Sequence, residues 1–209
     1  MEVKNMKEVS MTVVRRMPRY YHQICLLQKE GVQRISSGLL AERMGLTASQ
    51  IRQDFNCFGG FGQQGYGYQV ENLRRELEKI LCLDKGRSAI LVGVGHLGSA
   101  ILRNFEFSAS GVQVVGAFDP DLTLVDRKIG GVTVQSLDMM EEFIRRNDVD
   151  IAVLTVPGEA AVESARKLAD WGIKGIWNFT GVELELEDRI PVEEVEFSQS
   201  LMVLNYRMK

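Results

Sequence analysis

Three cysteines are all that the 209 residues contain, and Cys25, Cys57 and Cys82 stand far apart with no C-x-x-C pair. An odd, scattered set excludes a disulfide framework and a zinc site by spacing. Cys25 and Cys82 read as core fillers. No stretch reaches the roughly 18 apolar residues needed to span a bilayer. The N-terminal residues, with Lys4, Lys7 and Glu8, lack the apolar run of a secretory signal. The expectation is a cytoplasmic protein with no membrane partner. There is no Tyr-x-x-x-Lys pair and no placed His–carboxylate dyad to move the proton that accompanies a hydride. His22 falls on a helix with no Cys, Ser or Asp placed as its catalytic partner, so a partly exposed helix residue is the simpler reading.

The net charge of −3 conceals a division. Residues 1–87 carry 14 basic and 9 acidic side chains, whereas residues 88–209 carry 11 and 19. A basic half beside an acidic one is a cue for an anionic partner such as nucleic acid.

Ala89-Ile90-Leu91-Val92 is an apolar strand that runs into Gly93-Val94-Gly95-His96-Leu97-Gly98, a G-x-G-x-x-G turn, and then into a helix. Gly93 permits the turn, Gly95 lets backbone approach a pyrophosphate, and Gly98 lets the helix pack against the strand. His96 occupies a variable position, so its backbone N–H matters more than its ring. The next strand, Gln113 to Asp119, ends in a carboxylate 21 residues after the third glycine. A carboxylate there accepts hydrogen bonds from a ribose 2′-hydroxyl and repels a 2′-phosphate, which favours NAD(H) over NADP(H).

Further strands are expected at 132–134, 151–156 and 175–179, with helices at 139–146 and 159–171. This alternation predicts an α/β fold of Rossmann type, a doubly wound parallel sheet with ligands beyond the carboxyl ends of its strands. Asp119, Pro157 and Asn178 join the glycine turn around that crevice. Residues 197–208 form a final helix with Phe197, Leu201, Leu204 and Met208 as an apolar stripe that must be covered, and a second subunit is the favoured cover.

The first half reads differently. Pro18 suits the first turn of a helix with Tyr20, Ile24 and Leu27 facing inward, closed by Gly31. Ser36-Ser37 caps a short helix that Gly45 ends, and Thr47-Ala48-Ser49-Gln50 caps the next, with Ala48, Ile51 and Phe55 inside. Two short helices across Gly45-Leu46 make a helix-turn-helix. Ser49, Gln50, Gln53 and Asn56 point outward with Arg52 on the flank, side chains that read base edges. Arg16 and Arg19 can reach phosphates or be solvated. Residues 58–68 interleave five glycines with Phe61, Tyr66 and Tyr68, and read as two short strands joined by a tight tip, the wing of a winged helix. A charged helix follows at 70–81. Three segments result: a winged-helix DNA-binding domain at 1–87, a Rossmann domain at 88–193 and a dimerisation helix at 194–209.

Taken together, Arg16-Met17-Pro18-Arg19-Tyr20-Tyr21, Ile35-Ser36-Ser37, Gln50-Ile51-Arg52-Gln53-Asp54-Phe55, the 58–68 segment, Gly93 to Gly98 and Asn178-Phe179 resemble the bacterial Rex family nearly end to end. The resemblance implies a redox-sensing repressor, not an enzyme, that binds operator DNA as a homodimer under NAD⁺ and leaves it as NADH accumulates. It implies a terminal helix exchanged between subunits, which brings Glu196 and Phe197 beside the other subunit's cofactor. The chain departs from the family pattern at Gln53 and Gln64, where basic residues are usual, each removing roughly one released counterion. Asn104 replaces a tyrosine tied to dimer switching. A small NAD-dependent oxidoreductase and a nucleotide- or CoA-binding scaffold without DNA are the alternatives.

Overall fold

The structure is a computed structural model that describes residues 9–62 and 66–208. The chain divides into two compact units, Met1–Lys85 and Gly86–Lys209. Gln64, expected at the wing tip, lies outside the described residues.

The first unit opens with a single turn, α1 (Met11–Val14), which sequence reading did not anticipate, and α2 (Met17–Lys29), begun by Pro18. Strand β1 (Arg34–Ile35) leads into α3 (Ser37–Met44) and α4 (Ala48–Asn56). Ser36 Oγ accepts from the Leu39 N–H and Thr47 Oγ1 from the Gln50 N–H, both at 3.1 Å. Gly45, at φ +64°, takes the left-handed conformation that ends α3. Met17, Tyr20, Ile24 and Leu27 of α2 meet Leu40, Ile51 and Phe55 in one apolar core. Leu73 and Leu77 of α5 (Val70–Ile80) complete it.

Three features differ from expectation. Among the described residues of 58–68 only the end enters a strand, and that strand, β2 (Tyr68–Gln69), pairs antiparallel with β1. Phe61 instead packs edge-on against Phe55, drawing the outgoing limb towards the core. Gly67 adopts φ +69°, and a Cβ there would stand 2.5 Å from the Ile35 carbonyl oxygen, so the approach of β2 to β1 needs glycine. The inner face of α4 also holds a charge, since Asp54 is buried beside Ile51 and Phe55. Cys25 and Cys82 are only partly buried.

In the second unit β3 (Arg87–Val92) is followed by α6 (His96–Asn104), β4 (Val112–Asp119), β5 (Lys128–Ile129) and β6 (Val132–Ser136). Then come α7 (Met140–Asn147), β7 (Ile151–Leu154), α8 (Gly158–Asp170), β8 (Gly175–Asn178), β9 (Val192–Glu194) and α9 (Phe197–Arg207). The sheet order is β5-β6-β4-β3-β7-β8-β9, parallel throughout except for the β5–β6 hairpin. The parallel strands run in the dinucleotide-binding order, which reverses between β3 and β7 and opens a crevice at their carboxyl ends. Ile90 and Val92 face one core with α7 and α8, while Leu91 faces another with Leu102 of α6. Burial on both faces is why β3 reads as an unbroken apolar run.

Arg87, expected in the linker, already pairs with Val112, and Glu194, expected in the terminal helix, pairs with Asn178. Helix α9 buries no residue: Phe197, Leu201, Met202, Val203, Leu204 and Tyr206, and the C-cap Met208 after it, are each more than half exposed. Among the described residues no helix is long and apolar enough to cross a membrane.

Candidate cofactor and nucleic-acid sites

The glycine turn joins β3 to α6 at the crevice, and each glycine answers a different demand. Gly93 sits at φ +94°, with space for a Cβ only 2.9 Å from the backbone of Thr155 and Val156. A Cβ on Gly98 would stand 2.1 Å from the Gly93 carbonyl oxygen. Gly95 faces open space. It is the N-cap of α6, and having no side chain it leaves the first-turn N–H groups around His96 and Leu97 uncapped at the positive end of the helix. His96 is exposed, Leu97 is 39 % exposed and Val94 is buried. Such a terminus accepts a phosphate in place of a cap.

Asp119 ends β4 beside this turn. Its Oδ2 accepts from the Val94 N–H at 2.6 Å and its Oδ1 from the Asp121 N–H at 2.8 Å. Two acceptor positions remain on the carboxylate, enough for ribose hydroxyls. Thr155, directly after β7, turns its hydroxyl to the Gly93 carbonyl at 2.6 Å and the Val92 carbonyl at 3.1 Å. Pro157 is exposed and caps α8 on the same edge of the sheet.

Asn178 is drawn elsewhere. Fully buried at the end of β8, it donates through Nδ2 to the Val182 carbonyl at 2.8 Å and to Glu194 Oε2 at 2.6 Å. Its Oδ1 accepts from Thr180 N and Oγ1 at 3.0 and 2.8 Å. All four of its hydrogen-bonding positions are used within the protein, so its amide holds the turn after β8 and is not free for a cofactor. Phe197 lies at the start of α9, 63 % exposed, its ring centroid 6.4 Å from that of Phe179.

In the first unit α4 presents Ser49, Arg52, Gln53 and Asn56 outward, with Gln50 half-buried. Arg52 Nη1 donates to Ser37 Oγ at 3.0 Å, which holds its guanidinium at the amino end of α3. A groove of about 710 Å³ runs beside it, lined by Ser36, Ser37, Arg52, Asn56, Gly60 and Tyr68. Arg19 is exposed on α2. Arg16 is committed first to the protein, because Nε and Nη2 of its guanidinium make hydrogen bonds of 2.7 Å to Asp54, which leaves its remaining N–H groups for any phosphate. Sequence reading missed this partnership and Thr155. Asp54 stands in a recognisable motif, but nothing local marks it as buried, and Thr155 falls within the strand expected at 151–156.

Residues 84–182 match the family model described as "CoA binding domain", and residues 8–56 match "Putative DNA-binding protein N-terminus". The chain is 50 % identical over 202 residues to the redox-sensing transcriptional repressor Rex of Caldicellulosiruptor saccharolyticus, covering 97 % of this chain and 92 % of that protein. Rex of Clostridioides difficile strain 630 is 45 % identical over 203 residues, 97 % of each chain. Among solved structures, RSP in complex with β-NAD⁺ and operator DNA superposes with a TM-score of 0.92 at 48 % identity, covering 97 % of this chain and 93 % of that one. RSP in complex with β-NADH superposes at 0.89 and 44 % identity, with coverage of 97 % and 95 %. Near-complete coverage at this identity leaves one conclusion: the chain belongs to the Rex family of redox-sensing transcriptional repressors.

Proposed function

We propose that this chain binds operator DNA as a homodimer in the cytoplasm and reports the balance of NAD⁺ and NADH by releasing that DNA when NADH binds. The observation that carries the reading is the pairing of an uncapped α6 terminus at Gly95 with the Asp119 carboxylate in one crevice. The first fits a pyrophosphate and the second a ribose diol, with a 2′-phosphate disfavoured by charge. Gly93, Val94, Gly95, His96, Leu97, Gly98 and Asp119 would hold the shared part of the dinucleotide, with Pro157 at the rim and Phe197 contributed across the subunit interface. When bound, the cofactor supplies a planar cationic nicotinamide in one redox state and a neutral one in the other.

Contacts common to both states shift no equilibrium, so discrimination belongs to the nicotinamide end and to what α9 packs against. Reversing a population from 1:99 to 99:1 needs roughly a 10⁴-fold difference in affinity between states. On the DNA side, Ser49, Gln50, Arg52 and Gln53 of α4 would read bases, and Arg19 would meet the backbone, as would Gln64, which the sequence reading puts at the wing tip and which lies outside the described residues. Names of relatives support regulation rather than turnover, so no carbonyl substrate is expected to oxidise NADH on this protein.

Calorimetric titration of NADH and NADPH tests the cofactor assignment. Tight binding of NADH, weaker binding of NADPH and loss of both affinity and preference in Asp119→Ala are expected. Equal affinity for the two dinucleotides in the parent chain would contradict the role given to Asp119.

A further inference from the structure

The Gly93 carbonyl and the Val94 N–H belong to one peptide group, and both ends of it are engaged. Thr155 Oγ1 meets the carbonyl at 2.6 Å, and the N–H meets Asp119 Oδ2 at 2.6 Å. A single peptide plane therefore links the residue after β7 to the carboxylate at the end of β4, across the point where the strand order reverses.

We propose that Thr155 is a positioning residue of the cofactor site, acting on Asp119 through the Gly93–Val94 peptide. The proposal rests on the NAD(H) reading above. Its physical basis is cooperative: a hydrogen bond accepted at a carbonyl polarises the peptide and strengthens the bond its N–H donates. Orientation adds to this. The Thr155 N–H donates to the Val92 carbonyl at 2.9 Å, so the threonine backbone is fixed to β3 and the hydroxyl has a defined reach. The same hydroxyl stands 2.9 Å from where a Cβ on Gly98 would lie, and the Gly93 carbonyl oxygen 2.1 Å from it. Helix α6 thus closes over the carbonyl from one side while Thr155 satisfies it from the other. With the hydroxyl gone, the buried carbonyl gains by rotating its peptide towards another donor. That rotation takes the Val94 N–H off Asp119 and frees the carboxylate from the position that suits a ribose.

The test is a double-mutant cycle on NADH affinity, measured on the full chain after circular dichroism has established that each variant is folded. Thr155→Val should weaken NADH binding about tenfold, the effect of losing one buried hydrogen bond. Thr155→Ala, which adds no methyl at the hydroxyl position, guards against a packing artefact and should do the same. Thr155→Ser keeps the hydroxyl and should restore binding to within about threefold. In an Asp119→Ala background Thr155→Val should cost less than about twofold, because its route of action has been removed.

Wild-type affinity in both Thr155→Val and Thr155→Ala would overturn the proposal while leaving the cofactor reading intact. A tenfold loss that persists in the Asp119→Ala background would also overturn it, showing that Thr155 acts on packing at large. Failure of the unaltered chain to bind NADH would overturn the cofactor reading, and this proposal with it.

Discussion

Arg16 and Asp54 are joined at two points, Nε to Oδ2 and Nη2 to Oδ1, each 2.7 Å, with the aspartate side chain 4 % exposed and the arginine side chain 20 % exposed. Tyr20 donates its hydroxyl to the same Oδ2 at 2.7 Å, and its ring meets Phe55 edge-on at 5.0 Å. A charge on the inner face of α4 is thus tied to α2 and its N-cap by three hydrogen bonds, which fixes the helix that carries the side chains proposed to read bases. Removing one partner of such a pair strands the other in the core, at a cost of about 3–5 kcal/mol. Arg16→Met should lower the stability of the first unit by that order in denaturant unfolding. An unchanged unfolding curve with weaker operator binding would instead make Arg16 a phosphate contact.

Acid should act on the same pair. Burial, the largest single influence, pushes the Asp54 carboxyl up, but the hydrogen bonds from Arg16 and Tyr20 together with the Arg16 charge outweigh it and hold the group below the usual carboxylate range. A depressed folded-state value gives stability that is present above the unfolded pKa and is lost as pH falls through the folded one. In Asp54→Asn that part of the acid sensitivity should vanish, which urea titrations of both proteins from neutral to strongly acidic pH would register.

Glu194 shows the opposite sign. Desolvation is the main cause that raises its carboxyl above the ordinary value, helped by the charges of Glu196, Glu183 and Glu193 and opposed by the hydrogen bond from Asn178. A raised acid costs stability as pH climbs from the unfolded pKa, about 4.3, through the folded one. Glu194→Gln keeps a carbonyl for the Asn178 amide. It should match the parent near pH 4 and be the more stable protein at neutrality. Lower stability of the variant at neutrality would show that the charged hydrogen bond dominates.

Two glycines of the turn should fail in different ways. Gly98→Ala drives a methyl to within 2.1 Å of the Gly93 carbonyl oxygen, so α6 must shift, and both thermal stability and NADH affinity should fall. Gly95→Ala meets nothing within 4 Å and should leave the thermal midpoint near that of the parent, while its methyl would take the space proposed for a phosphate and NADH affinity should fall about tenfold. Equal melting losses in both variants would contradict this division.

Helix α9 cannot leave so much apolar surface in water. Sedimentation equilibrium should give twice the chain mass, and Leu201→Asp with Leu204→Asp should return the protein to a monomer.

Much of this was legible locally. The apolar run 89–92, the glycine turn and Asp119 are each decided by neighbours in sequence, and so are the caps at Ser36 and Thr47. What escaped depends on distant partners. Asp54 is buried because Arg16, 38 positions earlier, reaches it. Asn178 looked like a crevice residue because it ends a strand, but Thr180, Val182 and Glu194 take up its whole amide. Strand β9 is hidden in Val192-Glu193-Glu194, whose acidic residues carry no strand signal, and exists because β8 offers an open edge. Strand β2 pairs with β1 across more than thirty residues, which no turn signal in the glycine-rich segment could announce.

The central claim is that one dinucleotide, in two redox states, sets DNA affinity. It is tested most directly by fluorescence anisotropy of a labelled palindromic operator bound to this protein at fixed salt, titrated in parallel with NAD⁺ and NADH. Release by NADH with retention under NAD⁺ is the predicted result. Retention of the operator at saturating concentrations of both forms would contradict the account.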